Sequence, residues 1–419
     1  MNQHLPGPWP APVARGLSAR VTVPGSKSAT ARALLVAALA SGPGTIAGAL
    51  EARDSALLRA ALRALGAVID DSEPALWRVR PLAQPVPGAE IDCGLAGTVA
   101  RFVPPLAALA AGTTRFHGDT AASRRPVAPL LDGLRQAGAQ ISGTRLPFTV
   151  TGPVRGGSVG IDASGSSQFV SGLLLAASRF PDGLQLRHTG PGPVPSGPYL
   201  DLTVATLRAR GARISAGTDT WQVDPGPLTP ADQTVPPDLM NAAVFLAAAV
   251  VAGGKVSVPG WPNELLPGCD IPQLLQRFGA RAELTAEALT VSHDGQAWPG
   301  IEIDLRSSAE LAPVVTVLAA LATSPSRITG IGHIRGHETD RVTALATELN
   351  RLGAEVEEQP DALLVRPRRL HGGLWRCYAD HRMAHAGALI GLVVDGVVLD
   401  DVGCTAKTLP RFPTLWTQM

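Results

Sequence analysis

Hydrophobic positions along the chain follow two rhythms, a helical spacing and a strict alternation, and the first gives way to the second at one recurring phrase. The phrase is L-x-x-x-G-A-x-hydrophobic: "LRALGAVI" from Leu62, "LRQAGAQI" from Leu134, "LRARGARI" from Leu207, "LQRFGARA" from Leu275 and "LNRLGAEV" from Leu349. In each copy an amphipathic helix ends at a glycine (Gly66, Gly138, Gly211, Gly279 or Gly353) and an alternating strand follows at once. Glycine suits this place because it adopts the left-handed cap conformation without a Cβ penalty. Taken singly, the phrase is also a common helix-to-strand exit. Its return at intervals of about 70 residues predicts a repeated supersecondary unit.

Other strand–turn–helix passages precede each copy, so a unit holds about two helices and several strands, an α/β class with mixed sheets. The opening "MNQHLPGPWPAPVARGL" is too short to be a unit alone, which predicts a sixth unit divided between the two chain ends. A length of 419 residues fits two or three domains at about 150 residues each. The proline-rich, polar stretch "LTPADQTVPPD", Leu228 to Asp238, is the expected second crossing between domains. The expected domains are residues 1–20 with 236–419, and 21–235.

Helix beginnings carry the first chemical signal. Three helices open from strands through loops of small residues: "VTVPGSKSATARALLVAALA", "IDCGLAGTVARFVPPLAALAAG" and "IDASGSSQFVSGLLLAAS". Free N–H groups and a partial positive charge at a helix N-terminus attract anions, and Gly and Ser let an anion come close. For any one loop, Ser and Gly also serve as ordinary caps and turns. Two later helices, "RGHETDRVTALATELNRLG" and "YADHRMAHAGALIGL", place Arg341 and Arg382 in the first turn. A cation there opposes the helix dipole unless an anion lies alongside. The stretch Gly25-Ser26-Lys27-Ser28 is not a P-loop, because the glycine directly before the lysine and the earlier one are both missing.

Composition narrows the classes. With 45% hydrophobic residues and a formal net charge of +1, the chain reads as globular, with no basic tail to suggest nucleic-acid binding. Cys93, Cys269, Cys377 and Cys404 lie far apart, without C-x-x-C spacing, and read as reduced thiols of a cytosolic protein. Prolines interrupt the N-terminus where a signal peptide needs an apolar core, and "VFLAAAVVA" is too short to span a bilayer. Only Lys27, Lys255 and Lys407 are lysines among the 36 basic side chains. Lys255 reads as a turn residue, whereas Lys27 and Lys407 lie in Gly, Ser or Thr contexts beside the proposed anion sites. A compact ammonium whose proton can move, and which can serve two ligands, suits a reacting centre better than a guanidinium fork.

Seven stretches in order along nearly the whole chain, "PGSKSATARAL", "GLAGTVARF", "RRPVAPLLDGL", "SGSSQFVSGLLLAA", "HETDRVTALATELNRLGAEVE", "DHRMAHAGALIGL" and "KTLPRFP", resemble the successive motifs of the EPSP synthase (3-phosphoshikimate 1-carboxyvinyltransferase) family. The resemblance implies a two-domain inverse α/β barrel, each domain built from three βαβαββ repeats, with the active site in the interdomain cleft. The implied reaction transfers the enolpyruvyl group of phosphoenolpyruvate to the 5-hydroxyl of 3-phosphoshikimate and releases phosphate. It implies no metal and no organic cofactor, a cytoplasmic monomer without nucleic-acid or membrane partners, and glyphosate as an inhibitor. By residue, it implies that Lys27, Gly97, Arg125, Gln168, Arg341, Arg382 and Lys407 bind phosphoenolpyruvate. Ser28, Arg32, Ser166, Ser167, Ser196 and His337 would hold 3-phosphoshikimate, with Lys27 and Gln168 touching both ligands. Glu310 would be the general base for the 5-hydroxyl and contact the shikimate substrate, Glu338 a proton relay, and Thr98, Tyr199, Asp380 and His381 supporting groups.

Three positions depart from the family's pattern. Ala31 stands for the asparagine of K-S-x-T-N-R, Glu310 for a more usual aspartate, and His337 for a lysine found in many members. The last change would make a phosphate contact depend on pH, since an imidazole must be protonated to add charge. Two alternatives stay open: the sister transferase acting on UDP-N-acetylglucosamine, whose loop cysteine is missing from "GDTAASRRPVAPL", and a non-catalytic anion-binding paralogue. The paralogue would be expected to have lost Glu310, Glu338 or Lys407, and the chain keeps all three.

Replacing Lys27 by arginine keeps the charge but moves it, and a misplacement of about 1 Å can cost on the order of 100-fold in rate. Steady-state turnover of Lys27→Arg is therefore expected to drop by about that factor; near-native turnover would remove Lys27 from the reacting centre.

Overall fold

The computed structural model describes residues 7–262 and 266–419. Their contacts divide the chain into two compact units, Gly25–Val235 on one hand and Met1–Pro24 with Pro236–Met419 on the other. Residues 21–24, expected with the contiguous unit, group with the chain ends instead. Leu17–Arg20 pairs in parallel with Gly254–Pro259, and the chain that leaves it stays bonded: Val21 N donates to Ser257 O (2.8 Å) and Asp238 N to Pro24 O (2.9 Å).

The repeat is plainest in the contiguous unit. Strand Glu90–Asp92, helix Gly97–Ala107, strand Thr113–His117, helix Ala128–Gln136 and the strands Gln140–Ser142 and Phe148–Thr151 make one βαβαββ motif. Its first two strands are parallel, with Asp92 opposite His117, and the hairpin joins antiparallel, with Phe116 opposite Phe148. Gly157–Val223 repeats the order around helices Ser167–Ala177 and Gly197–Ala209. The first motif takes its opening strand from Gln233–Thr234, which lies parallel to Gly44–Ala47.

The other unit follows the same plan with three sheets of its own. Trp9–Pro10 pairs with Val397–Leu399, beside Gly373–Trp375, so the sixth motif is indeed completed from both ends of the chain. All five glycines of the recurring phrase have positive φ: +105° at Gly66, +103° at Gly138, +77° at Gly211, +85° at Gly279 and +98° at Gly353.

Each motif sorts its two helices by burial. The first helices of the second unit, Leu239–Ala252, Ala312–Ala320 and His381–Gly391, are buried at every residue, and the sheets lie outside them. A helix apolar on all sides can only be stable in such an interior. The second helices are one-sided: Arg341–Arg351 buries Val342, Leu345 and Leu349 and turns Asn350 and Arg351 outward. His385, in the buried His381–Gly391 helix, lies against Phe412 with ring centroids 4.6 Å apart, and burial pushes its pKa well below the usual range, so the ring stays neutral. Cys93, Cys269, Cys377 and Cys404 are free thiols. Among the described residues no helix is long and apolar enough to cross a membrane.

Close packing of the inner helices depends on missing side chains. A Cβ at Gly172, in helix Ser167–Ala177, would stand 2.1 Å from the carbonyl oxygen of Arg101 on the neighbouring helix. Gly172→Ala gains about 1 kcal/mol of helix propensity, but a backbone collision forces a shift that costs about 1–3 kcal/mol or more. The expected outcome is a lower melting temperature by calorimetry, while Gly226→Ala, where a Cβ meets nothing within 4 Å, leaves it unchanged.

Candidate active site

In the contiguous unit most of the expected residues gather at or just before the N-terminal ends of helices. Lys27 opens Lys27–Leu39 behind its cap Ser26, whose Oγ accepts from Ala29 N at 3.3 Å. Its Nζ lies 3.8 Å from Oδ2 of Asp54, a buried carboxylate in the first turn of Arg53–Ala64. Gly97 opens the next inner helix, followed by Thr98. The guanidinium of Arg125 lies across it so closely that a Cβ at Gly97 would stand 2.9 Å from Nη2, and Arg125 Nη1 donates to Leu95 O at 3.0 Å. Ser166 caps Ser167–Ala177 by accepting from Gln168 N (3.2 Å). Ser196, before Gly197–Ala209, holds a left-handed φ of +57°, a strained place for serine of the kind that gathers at functional sites.

Arg32 is largely engaged by the protein itself. It is 2% exposed and its N–H groups go to Thr203 Oγ1 (2.8 Å), Ser28 O (3.0 Å), Ser171 Oγ (3.3 Å) and Tyr199 O (2.9 Å). Burial lowers its pKa to about 10, still charged at neutral pH. Its fork therefore ties the Lys27 and Tyr199 helices together, and any ligand contact has to use what remains of one Nη1. Arg101 did not stand out in the sequence although it lies within "GTVARF". It is 3% exposed, donates to Gln168 Oε1 (2.8 Å) and Pro126 O (2.9 Å), and so orients the Gln168 amide. Asp54 and Arg101 carry no local signature; only their partners give them meaning.

The second unit assembles a chain of alternating charges. Arg341, 1% exposed, grips Asp380 through Nε–Oδ2 (2.8 Å) and Nη2–Oδ1 (3.1 Å), and Nη2 also reaches Glu338 Oε2 (2.9 Å). Glu338 Oε1 accepts from Lys407 Nζ at 2.5 Å. Burial alone would lower the Arg341 pKa, but Asp380 and Glu338 more than offset it and hold the guanidinium above its ordinary value. Asp380 caps His381–Gly391 by accepting from Arg382 N (2.9 Å), with His381 beside it at 3.7 Å. Arg382 donates to Met240 O and meets Glu310 Oε2 at 3.2 Å. Glu310 itself lies on the short turn Ala309–Leu311 that leads into Ala312–Ala320. The anions that offset Arg341 and Arg382 at their helix starts include carboxylates of the protein itself. Among the described residues no group of three or more His, Cys, Asp or Glu is placed to hold a metal ion.

A family model described as EPSP synthase (3-phosphoshikimate 1-carboxyvinyltransferase) matches residues 13–416. The chain belongs to the EPSP synthase family. A 3-phosphoshikimate 1-carboxyvinyltransferase from Mycobacterium ulcerans is 50% identical over 423 residues, covering 98% of this chain and 97% of that one. One from Kocuria rhizophila is 50% identical over 428 residues, covering 98% and 96%. Among solved structures, an EPSP synthase from Acinetobacter baumannii matches with a TM-score of 0.78 at 23% identity, over 98% of this chain and 97% of that one. The enolpyruvyl transferase NikO from Streptomyces tendae matches at 0.74 and 22%, over 99% and 98%. These two structures speak for the fold, the inverse α/β arrangement of inner helices and outer sheets.

His337 stands beside the Arg341 guanidinium. Arg341 Nη1 lies 3.0 Å from His337 Nδ1, and since arginine can only donate, this contact is a hydrogen bond when Nδ1 carries no proton. Charging the ring would aim a second donor at that guanidinium; the other ring nearby, His333, meets it edge-on at 6.2 Å, and burial lowers the His333 pKa. A charged ring would strengthen a phosphate contact below pH ~6.5 and lose that effect as pH rises. If the Arg341 contact keeps Nδ1 unprotonated, the ratio of KM for 3-phosphoshikimate between His337→Gln and the unsubstituted protein is expected to stay constant from about pH 6.5 to 8.5. A ratio that falls toward unity with rising pH would show a charged ring at the phosphate.

Proposed function

We infer that this chain is a transferase that moves the enolpyruvyl group of phosphoenolpyruvate onto the 5-hydroxyl of 3-phosphoshikimate, giving 5-enolpyruvylshikimate 3-phosphate and phosphate in the shikimate pathway. The observation that carries this is the family match over residues 13–416, joined to relatives of that name at 50% identity over nearly their full length. The two substrates together bring two phosphates and two carboxylates, which cations and helix N-termini can neutralise in a preorganised setting.

We assign Lys27, Gly97, Arg125, Gln168, Arg341, Arg382 and Lys407 to phosphoenolpyruvate, and Ser28, Ser166, Ser167, Ser196 and His337 to 3-phosphoshikimate, with Lys27 and Gln168 shared. The apposition of Gly97 and Arg125 supports its part of the assignment: a guanidinium laid over a helix N-terminus makes a double donor for a phosphate. Arg32, with its protein partners, contributes mainly by holding the Tyr199 turn. Glu338 joins Lys407 and Arg341, so an anion that takes either cation loosens the carboxylate's grip on it, which suits a group that moves a proton. Glu310 is assigned as the base that takes the 5-hydroxyl proton, held through Arg382 at 3.2 Å. Thr98 and His381 are placed as supports, glyphosate as a competitor at the phosphoenolpyruvate groups, and the enzyme as a cytoplasmic monomer that works without a cofactor.

Phosphate release from phosphoenolpyruvate should require 3-phosphoshikimate and ignore UDP-N-acetylglucosamine. In Glu310→Gln the shape stays and the basicity goes, so kcat is expected to fall about 100- to 10,000-fold. If turnover holds while KM for 3-phosphoshikimate rises, Glu310 positions substrate only.

A further inference from the structure

The segment leading into the His381–Gly391 helix bends through two consecutive left-handed residues, Tyr378 (φ +55°) and Ala379 (φ +53°). Neither is glycine, and a left-handed backbone is unfavourable for both, more so for a bulky side chain. One face of the Arg341–Arg351 helix grips this bend at two points. At its first residue Arg341 takes Asp380 with two hydrogen bonds, 2.8 and 3.1 Å. Seven residues on, two turns or about 10 Å along the axis, Glu348 presents its carboxylate on the same face. Glu348 is wholly buried; Oε1 accepts from the Tyr378 hydroxyl at 2.5 Å, and Oε2 from Arg376 N (3.1 Å) and Arg351 Nη1 (2.7 Å). Burial and the Glu348 carboxylate push the Tyr378 pKa up to about 12, so its hydroxyl keeps the donated proton throughout any working pH.

We propose that Tyr378 and Glu348 are positioning residues for phosphoenolpyruvate: by holding the Arg376–Asp380 bend against the Arg341–Arg351 helix, they set where Asp380 and Arg382 stand. The connection is direct, because Asp380 both ends the bend and caps the helix that carries Arg382. Releasing the Tyr378 end lets the backbone relax toward a right-handed or extended form, which turns Asp380 away from Arg341 and swings Arg382 off Glu310. Of the groups assigned to 3-phosphoshikimate, Ser28, Ser166, Ser167 and Ser196 lie on other elements and are not moved, whereas His337 and Glu310 meet Arg341 and Arg382 and are moved less directly. This inference rests on the assignment of Arg341 and Arg382 to phosphoenolpyruvate.

Tyr378→Phe keeps the ring and removes only the hydroxyl. Steady-state kinetics should show KM for phosphoenolpyruvate rising on the order of 10-fold while KM for 3-phosphoshikimate rises clearly less, with melting curves confirming a folded protein. Glu348→Gln should show the same bias. Adding Ala379→Gly to Tyr378→Phe should recover most of the lost affinity, since glycine adopts the bend without a Cβ penalty, and this double variant remains informative if the single one folds poorly. An unchanged KM for phosphoenolpyruvate, or equal rises for both substrates that Ala379→Gly does not reverse, would overturn the positioning role. Arg382→Lys separates the two layers: no change in KM for phosphoenolpyruvate there refutes the ligand assignment of Arg382, whereas a rise there beside a silent Tyr378→Phe refutes the positioning pair alone.

Discussion

A guanidinium and a carboxylate buried together must find each other, and the Arg341–Asp380 pair is the contact on which the chemistry of its unit hangs. Arg341 is 1% exposed and Asp380 is not exposed at all. Removing either partner of such a pair leaves an uncompensated buried charge, typically a loss of about 3–5 kcal/mol. The pair also joins two helix starts, those of Arg341–Arg351 and His381–Gly391, and so couples Glu338, Lys407, Arg382 and Glu310 into one series of alternating charges. Three cations and three carboxylates balance there, which lets a polar series exist among inner helices that are otherwise apolar.

The inside-out arrangement makes such a series possible. Helices buried on every side project their N-termini out of a dry interior, and the partial positive charge of each terminus is only weakly screened there. Gly, Ser and Thr at these ends keep the approach open. Gly97 is the clearest case, because only the missing Cβ lets Arg125 lie where it does. Gly172 plays the matching structural part, admitting the Arg101 carbonyl so that two inner helices come close enough for Arg101 to reach Gln168.

Strain is distributed in the same pattern. The three non-glycine residues with positive φ among those described, Ser196, Tyr378 and Ala379, all lie at the starts of helices that carry candidate ligand groups. Tyr378 is held there by its hydrogen bond to Glu348. Left-handed turns elsewhere in the described chain fall on glycine, including all five copies of the recurring phrase.

The repeat, its glycine caps and the divided sixth motif were legible along the chain, because each is a local rule: a helix cap needs a left-handed residue, and a unit needs its full set of strands and helices. The polar ends of the inner helices were legible for the same reason. Which charge meets which was not. Nothing near Lys27 announces Asp54, nothing in "GTVARF" announces that Arg101 serves Gln168, and nothing beside His337 announces that the Arg341 guanidinium faces its Nδ1. Nor does the sequence around Arg32 show the four protein oxygens that hold it. Local propensity is written into neighbouring residues, whereas the pairing of buried charges depends on groups far apart in sequence that meet only when the sheets close around the helices.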